Sequence, residues 1–277
     1  MRCAEDSRLH TACLTVLAWL AAKKAHPKTV MCFGRTGDPH LQADKQNLSP
    51  DRRKSALMPL CWANIERHAM SQDVVFDLGG VVFRWQPLLL LQELFPKQVR
   101  NEAEAREWAS QIFETFHPEG DWALFDLGRI EPEPLAQRIA ARTGLAEAYV
   151  RHLMASIPSH LQAIPGTVDL IHELKAQGHR LYYLSNMPAA YADHLVRVNP
   201  FFSQFDDGIF SSHVQQIKPK ADIFATAQAR WPLRGQAVFI DDVPHNIDAA
   251  EQHGWHAIRF ETPEQVRAQL VLRGCLG

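Results

Sequence analysis

DVVFDLGG, residues 73–80, is the stretch on which the reading of this chain turns. Asp73 to Leu78 is a short run rich in β-branched and aromatic residues, and Gly79 and Gly80 close it. It therefore predicts a buried strand that feeds a tight turn. Asp77 stands at the carboxyl end of that strand. Downstream, Pro87 sits where a first-turn proline is tolerated, ahead of LLLLQELF. Helical material continues through a charged stretch from Asn101 to Phe116, over Glu133 to Thr143 and over Ala146 to Ile157. No strand pattern interrupts residues 86–158, which read as an all-helical insertion.

From Pro165 onward strands and helices alternate. An amphipathic helix over Thr167 to Gln177, stopped by Gly178, precedes a strand over Arg180 to Leu184, a helix over Pro188 to Val198 and a short strand over Gly208 to Ser211. A helix over Ala221 to Trp231, a strand over Ala237 to Ile240, a helix over Asn246 to His253, a strand over His256 to Phe260 and a helix from Pro263 complete the series. Five strands in such an alternation imply an α/β fold, a doubly wound parallel sheet covered on both faces. Ligands of such sheets bind at the carboxyl ends of the strands, near a topological switch point. The expected organisation is an α/β core from residues 70–85 and 159–277, a helical cap from residues 86–158, and an extension over residues 1–69.

The extension differs in composition from the rest. Residues 1–69 hold 11 Lys and Arg against 6 Asp and Glu, a charge of +5, whereas residues 70–277 carry −7. Four of the five cysteines, Cys3, Cys13, Cys32 and Cys61, lie there with no CxxC pair, so neither a disulfide framework nor a zinc site is implied. The apolar run from Ala12 to Ala22 is too short to span a bilayer and makes a poor signal peptide, since Glu5 and Asp6 dilute its leader. The segment reads as disordered, or as preceding the native start, with Met70 immediately before the first convincing strand. The acidic body lacks the basic face that phosphate-backbone neutralisation requires, which argues against nucleic acid as a partner. With 46% apolar residues the chain suffices for a packed core, and a cytoplasmic protein without membrane association is expected.

Polar residues stand at the strand ends where a structural sequence would turn on Gly, Asn or Ser alone. Asp77 ends the first strand, Ser185 and Asn186 the second, Asp241 and Asp242 the fourth, and Lys218 precedes a helix in KPKADIF. The set holds a nucleophile, a hydroxyl donor, a fixed cation and a pair of carboxylates. Those are the parts phosphoryl transfer needs, because the reaction is mostly positioning and neutralisation of oxygen charge. Taken singly, each has a bland reading: Asp77 or the Asp241 and Asp242 pair as caps, Ser185 and Asn186 as turn residues, Lys218 as a solvated charge.

In order and spacing these motifs resemble the haloacid dehalogenase-like superfamily over residues 73 to about 272. FDLGGV (Phe76 to Val81) is similar to its first motif, LSN (Leu184 to Asn186) to its second, Lys218 with Pro219 to its third and FIDDVPHN (Phe239 to Asn246) to its fourth. The resemblance implies that Asp77 attacks phosphorus and forms an aspartyl phosphate. It also implies that Mg2+ is held by Asp77, the Gly79 carbonyl and Asp242 with help from Asp241, all hard oxygen ligands. Ser185, the amide of Asn186 and Lys218 would cradle the phosphate, and Asn246 would support the metal from behind.

Gly79 departs from the pattern. Most phosphatases of this superfamily carry there a second Asp that protonates the leaving group and later activates water. A Gly also occurs in the branch of bacterial glucose-1-phosphate phosphatases, which the DLGGV motif and the cap segment around Gly128 resemble. The proton carrier must then come from the cap, from water, or be dispensed with for a good leaving group. His117 and Glu119 are loose candidates. Arg84 and Trp85 follow the first motif and are candidates for substrate contact, whereas Trp122 and Phe125 read as cap core. The expected substrate is a small phosphorylated metabolite, a sugar phosphate favoured. The alternatives are a dehalogenase using the same nucleophile on carbon, and a binding module that has lost activity. The sequence leaves the oligomeric state open.

Overall fold

The structure, a computed structural model, describes residues 71–277. The expectations for residues 1–69, including the apolar run from Ala12 to Ala22, lie outside the described residues. The five strands are β1 (Asp73–Phe76), β2 (Arg180–Ser185), β3 (Asp207–Phe210), β4 (Val238–Asp241) and β5 (His256–Arg259). All pair in parallel, in the order β3-β2-β1-β4-β5. The chain builds outward from β1 on one side, then crosses over to lay β4 on the other, so the switch point falls between the carboxyl ends of β1 and β4.

β1 is buried along its whole length because both faces are covered. Val74 and Phe76 pack into one hydrophobic core, and Val75 packs into a second core with Tyr182, Phe239 and Trp255. That is the two-residue period of a strand with a helical layer on each side. The Asp77 N–H donates to Ile240 O at 2.8 Å, carrying the β1–β4 ladder one residue further and pinning the backbone that presents the Asp77 side chain.

Between β1 and β2 lies the cap, made of α1 (Pro87–Leu94), α2 (Glu102–Phe113), α3 (Asp121–Asp126), α4 (Pro132–Thr143) and α5 (Glu147–His160). The core helices are α6 (Pro165–Ala176), α7 (Ala189–Val198), α8 (Ser211–Val214), α9 (Ala221–Arg230), α10 (Pro244–Gln252) and α11 (Pro263–Leu272). The expected elements are present with shifted ends, and α3 and α8 are additions. Each is too short to show a helical period of its own. Both prove to matter for the site.

The cap is tied to the core by side chains that answer specific backbone needs. Pro158 lies inside α5 and has no N–H, so it leaves the carbonyl of Met154 without its usual helical partner. The Tyr191 hydroxyl of α7 donates to that carbonyl at 2.7 Å, and the Tyr191 ring stands edge-on to Phe125 of α3. Tyr191→Phe is therefore expected to leave a buried carbonyl unsatisfied and to lower stability by about 1–3 kcal/mol in urea unfolding. Unchanged stability would mean that this bond does not hold the cap.

Candidate active site

The side chains at the strand ends converge. Lys218, in the loop before α9, is the hub: its Nζ lies 2.9 Å from Asp77 Oδ1 and 2.6 Å from Asp241 Oδ2, and its side chain is almost wholly buried. The loop that carries it is clamped by Asn186. The Asn186 Nδ2 donates to Lys218 O at 3.0 Å, while the Lys218 N–H donates to Asn186 Oδ1 at 2.9 Å. The Asn186 side chain is thus engaged in positioning the lysine. Its main-chain N–H has no partner among the described residues and stands beside Ser185, which is buried and lines the same cavity.

Asp241 is fully buried and held from several directions. Besides Lys218, the Val243 N–H donates to Oδ1 at 2.9 Å, and Asn246 Nδ2 reaches Oδ1 and Oδ2 at 3.0 and 3.1 Å. Asn246 sits in the first turn of α10, which places its amide directly against the end of β4. Asp242, by contrast, accepts no hydrogen bond from another residue among the described residues, and it lines the cavity. Oxygen atoms of Asp77, Asp241 and Asp242 can all lie within 4.8 Å of one another.

Three carboxylates against one ammonium leave the cluster short of two positive charges, which sets its electrostatics. Burial pushes Asp77 up to about 7; the Lys218 ammonium opposes this, and the charges of Asp241 and Asp242 reinforce it. Asp242 is raised by burial and by Asp241. Burial works to lower Lys218, but Asp241 and Asp77 outweigh it and hold the amine above its ordinary value. The donors available are all hard oxygens, including the Gly79 carbonyl, which accepts no hydrogen bond among the described residues. A small divalent cation with oxygen preference fits both the charge deficit and the donor chemistry. Gly80 makes that approach possible. Its φ of 81° favours glycine, and a Cβ there would run into the Asp242 carboxylate.

Above this floor the cap encloses a cavity of about 670 Å³. Its upper wall is apolar and aromatic, with Trp85, Phe116, Trp122, Ile157, Leu161 and Tyr191. Glu114, Thr115 and Phe116 form a run of left-handed residues that turns Thr115 and Phe116 onto the cavity. Such a run is strained at about 1–2 kcal/mol per residue, and the Glu114 carboxylate, accepting the Asp121 N–H at 2.6 Å, braces it.

Of the residues singled out in the sequence, Asp77, Gly79, Ser185, Asn186, Lys218, Asp242, Asn246 and Trp85 line the cavity, with Asp241 directly beneath. Arg84 does not: it is exposed, and its backbone N–H donates to Gln162 O. His117 and Glu119 are also exposed and off the cavity, with the Glu119 N–H turned onto His117 Nδ1. Sequence reasoning missed Thr115, Phe116, Tyr191 and His245 on the cavity, and above all Asp126, at the end of α3, buried and on the cavity wall. The available signal was its place between Phe125 and Leu127, an acidic residue inside an otherwise apolar stretch.

Fold and site define a class: a doubly wound α/β enzyme core whose carboxylate-bearing strand ends are roofed by an inserted helical cap. The family model described as haloacid dehalogenase-like hydrolase matches residues 74–254, and the chain belongs to that family. It is similar to the sesquiterpene phosphatase astK of Aspergillus oryzae, 26% identical over 183 residues that cover 65% of this chain and 85% of that one. Among solved structures it is similar to a HAD-family enzyme of Bacteroides thetaiotaomicron in complex with magnesium and inorganic phosphate. The TM-score is 0.54 at 19% identity, covering 69% of this chain and 94% of that one. It is also similar to L-2-haloacid dehalogenase of Xanthobacter autotrophicus with chloropropionic acid covalently bound, TM-score 0.52 at 19% identity, covering 73% and 83%. At these identities the structural likeness speaks to the fold alone. Among the described residues no helix is long and apolar enough to cross a membrane.

Proposed function

We propose that this protein is a magnesium-dependent phosphatase that hydrolyses a phosphate monoester of an apolar alcohol, of isoprenoid type, by way of an aspartyl phosphate on Asp77. The observation that carries the reading is the division of the cavity: a floor of charge and hydrogen-bond donors beneath a wall of aromatic and aliphatic side chains. The floor suits a phosphate. On the wall the Tyr191 hydroxyl is already bound to Met154 and the Asn186 side chain to the Lys218 loop, which leaves Thr115, Asp126 and His245 as polar residues among a larger set of apolar ones. A sugar phosphate, favoured from the sequence, would bring hydroxyls into a place where unpaired polar groups are costly. The likeness to a protein named as a sesquiterpene phosphatase supports the apolar alternative.

In this reading Asp77 attacks phosphorus in line with the ester oxygen, while the Ser185 hydroxyl, the Asn186 main-chain N–H and Lys218 hold the phosphoryl oxygens. Asp241 and Asn246 keep Lys218 and the floor in register. Asp77, Asp242 and the Gly79 carbonyl, with Asp241 behind them, would hold magnesium, which supplies the positive charge that lets a carboxylate and a phosphate approach. A dehalogenase is less well served. Its carboxylate substrate would meet three like charges within one cluster.

The test is kcat/KM for alkyl and prenyl monophosphates of increasing length, beside glucose 1-phosphate, with magnesium or with EDTA. Each buried methylene is worth about 0.8 kcal/mol, so kcat/KM is expected to rise about fourfold per methylene until the cavity is filled, and EDTA to abolish turnover. Preference for glucose 1-phosphate with no dependence on chain length would overturn the substrate class. Full turnover in EDTA would overturn the metal.

A further inference from the structure

Gly79, two residues after Asp77, has no side chain and so offers no proton donor at the turn that follows β1. Among the described residues, its chain neighbours aside, no heavy atom comes within 4 Å of where a Cβ at Gly79 would stand, and Gly79 lines the cavity. The alcohol released from an alkyl phosphate is a poor leaving group, and a general acid at its oxygen is typically worth about 10²–10⁴ in rate. For such an alcohol a cap residue on the cavity is one of the sources of that proton, beside water.

We propose that Asp126 of the cap is that group, the general acid for departure of the alcohol and the general base for the water that follows; the role rests on the phosphatase reading above. Its position is built, not incidental. The Asp126 carbonyl accepts from the Ser211 hydroxyl at 2.5 Å, and that same hydroxyl accepts the Met187 N–H at 2.9 Å. Met187 directly follows Asn186, so one hydroxyl on α8 fastens the end of α3 to the phosphate-holding loop. Two residues on, Gly128 takes a φ of 65° and passes so close to the Ser212 backbone that a Cβ would stand 3.3 Å from its carbonyl oxygen. Arg129 then donates to Gln215 O at 3.0 Å. The segment around Asp126 is thus docked on the core at successive points, and Asp126 is among the residues that line the cavity together with Asp77.

The side chain is otherwise unemployed. Asp126 is 8% exposed, its carboxyl group makes no hydrogen bond or ion pair among the described residues, and its neighbours in α3 are Trp122, Ala123 and Phe125. A buried carboxylate without a partner is a liability for stability, so a structural role does not explain it. Burial, with a smaller push from the charge of Asp77, raises it to about 8, so it carries its proton at neutral pH as a donor must.

The proton and bond changes close over two steps. In the first, an Asp77 oxygen forms a bond to phosphorus, the bond from phosphorus to the ester oxygen breaks, and the Asp126 proton passes to that oxygen, releasing the alcohol. In the second, water attacks the aspartyl phosphate as the Asp126 carboxylate takes its proton. The bond from phosphorus to Asp77 breaks, inorganic phosphate leaves, and both side chains return to their starting states.

The test compares wild type and Asp126→Asn on dodecyl phosphate and on p-nitrophenyl phosphate, whose leaving group needs no proton. Asp126→Asn is expected to hydrolyse dodecyl phosphate about 10²–10⁴-fold more slowly than wild type. With p-nitrophenyl phosphate it should release about one equivalent of nitrophenolate in a burst and then stall, because the aspartyl phosphate lacks a base for water. The burst also reports that the variant is folded and its nucleophile intact. Dodecyl phosphate turnover within tenfold of wild type would overturn the role, as would equal loss on both esters with no burst, the mark of a residue that merely holds the cap. If wild type hydrolyses neither ester, the phosphatase reading itself fails and this role falls with it.

Discussion

Asp77→Asn is expected to reduce phosphate-ester hydrolysis to below about one percent of wild type, because no other carboxylate at the floor is free to attack. Lys218, Val243 and Asn246 engage Asp241, and Asp242 is the carboxylate proposed above to hold magnesium. Rapid acid quenching of wild type during turnover should recover phosphate covalently attached to the chain, and Asp77→Asn should yield none. The fold should survive, and the sign of the stability change follows from the proton. Burial pushes folded Asp77 up to about 7, above the ordinary carboxylate value, so in metal-free protein its contribution to stability is largest at low pH and is lost as pH rises through 7. At pH 8 without magnesium the variant should therefore melt no lower than wild type. Magnesium should raise the melting temperature of wild type more than that of the variant, which lacks one ligand oxygen's charge. Residual turnover of several percent, or phosphate trapped on the variant, would place the nucleophile elsewhere.

Lys218→Met should produce the second large effect, on stability as well as rate. The ammonium is the only cation within reach of Asp77 and Asp241 among the described residues, at 2.9 and 2.6 Å. Removing one member of a buried ionic cluster leaves the others uncompensated, at a cost of about 3–5 kcal/mol. Turnover should fall by about 10²–10³, the usual loss when one donor to a transferring group's oxygens is removed. Magnesium should restore part of the lost stability, since a divalent ion among the same carboxylates supplies the missing positive charge. Unfolding curves in urea with and without magnesium measure both effects. Loss of stability that magnesium leaves unchanged would mean that the cation site does not lie in this cluster.

The sequence by itself determined the parallel sheet and the floor of the site, because both are written in local pattern. Apolar runs such as Val74 to Phe76 are too short and too β-branched for anything but buried strands. A parallel sheet gathers whatever its strands carry at their carboxyl ends, so Asp77, Ser185, Asp241 and Asp242 had to meet. Lys218 was legible as a motif but not as a hub, since its contacts span loops far apart in sequence. What only the tertiary structure decided lies mainly in the cap. Arg84 and Trp85 are neighbours with similar prospects in the sequence, yet the chain turns Trp85 into the cavity and leaves Arg84 in solvent. Tyr191 was an ordinary helix residue until Pro158 left Met154 a carbonyl to satisfy. Asp126 sits on a helix too short to announce itself, held against the core by Ser211, 85 residues away. The character of the cavity wall likewise depends on which faces of separate cap helices meet. Strand periodicity dictates what a sheet presents at its ends, but the docking of one layer on another is set by contacts between distant residues, and no local stretch of sequence contains them.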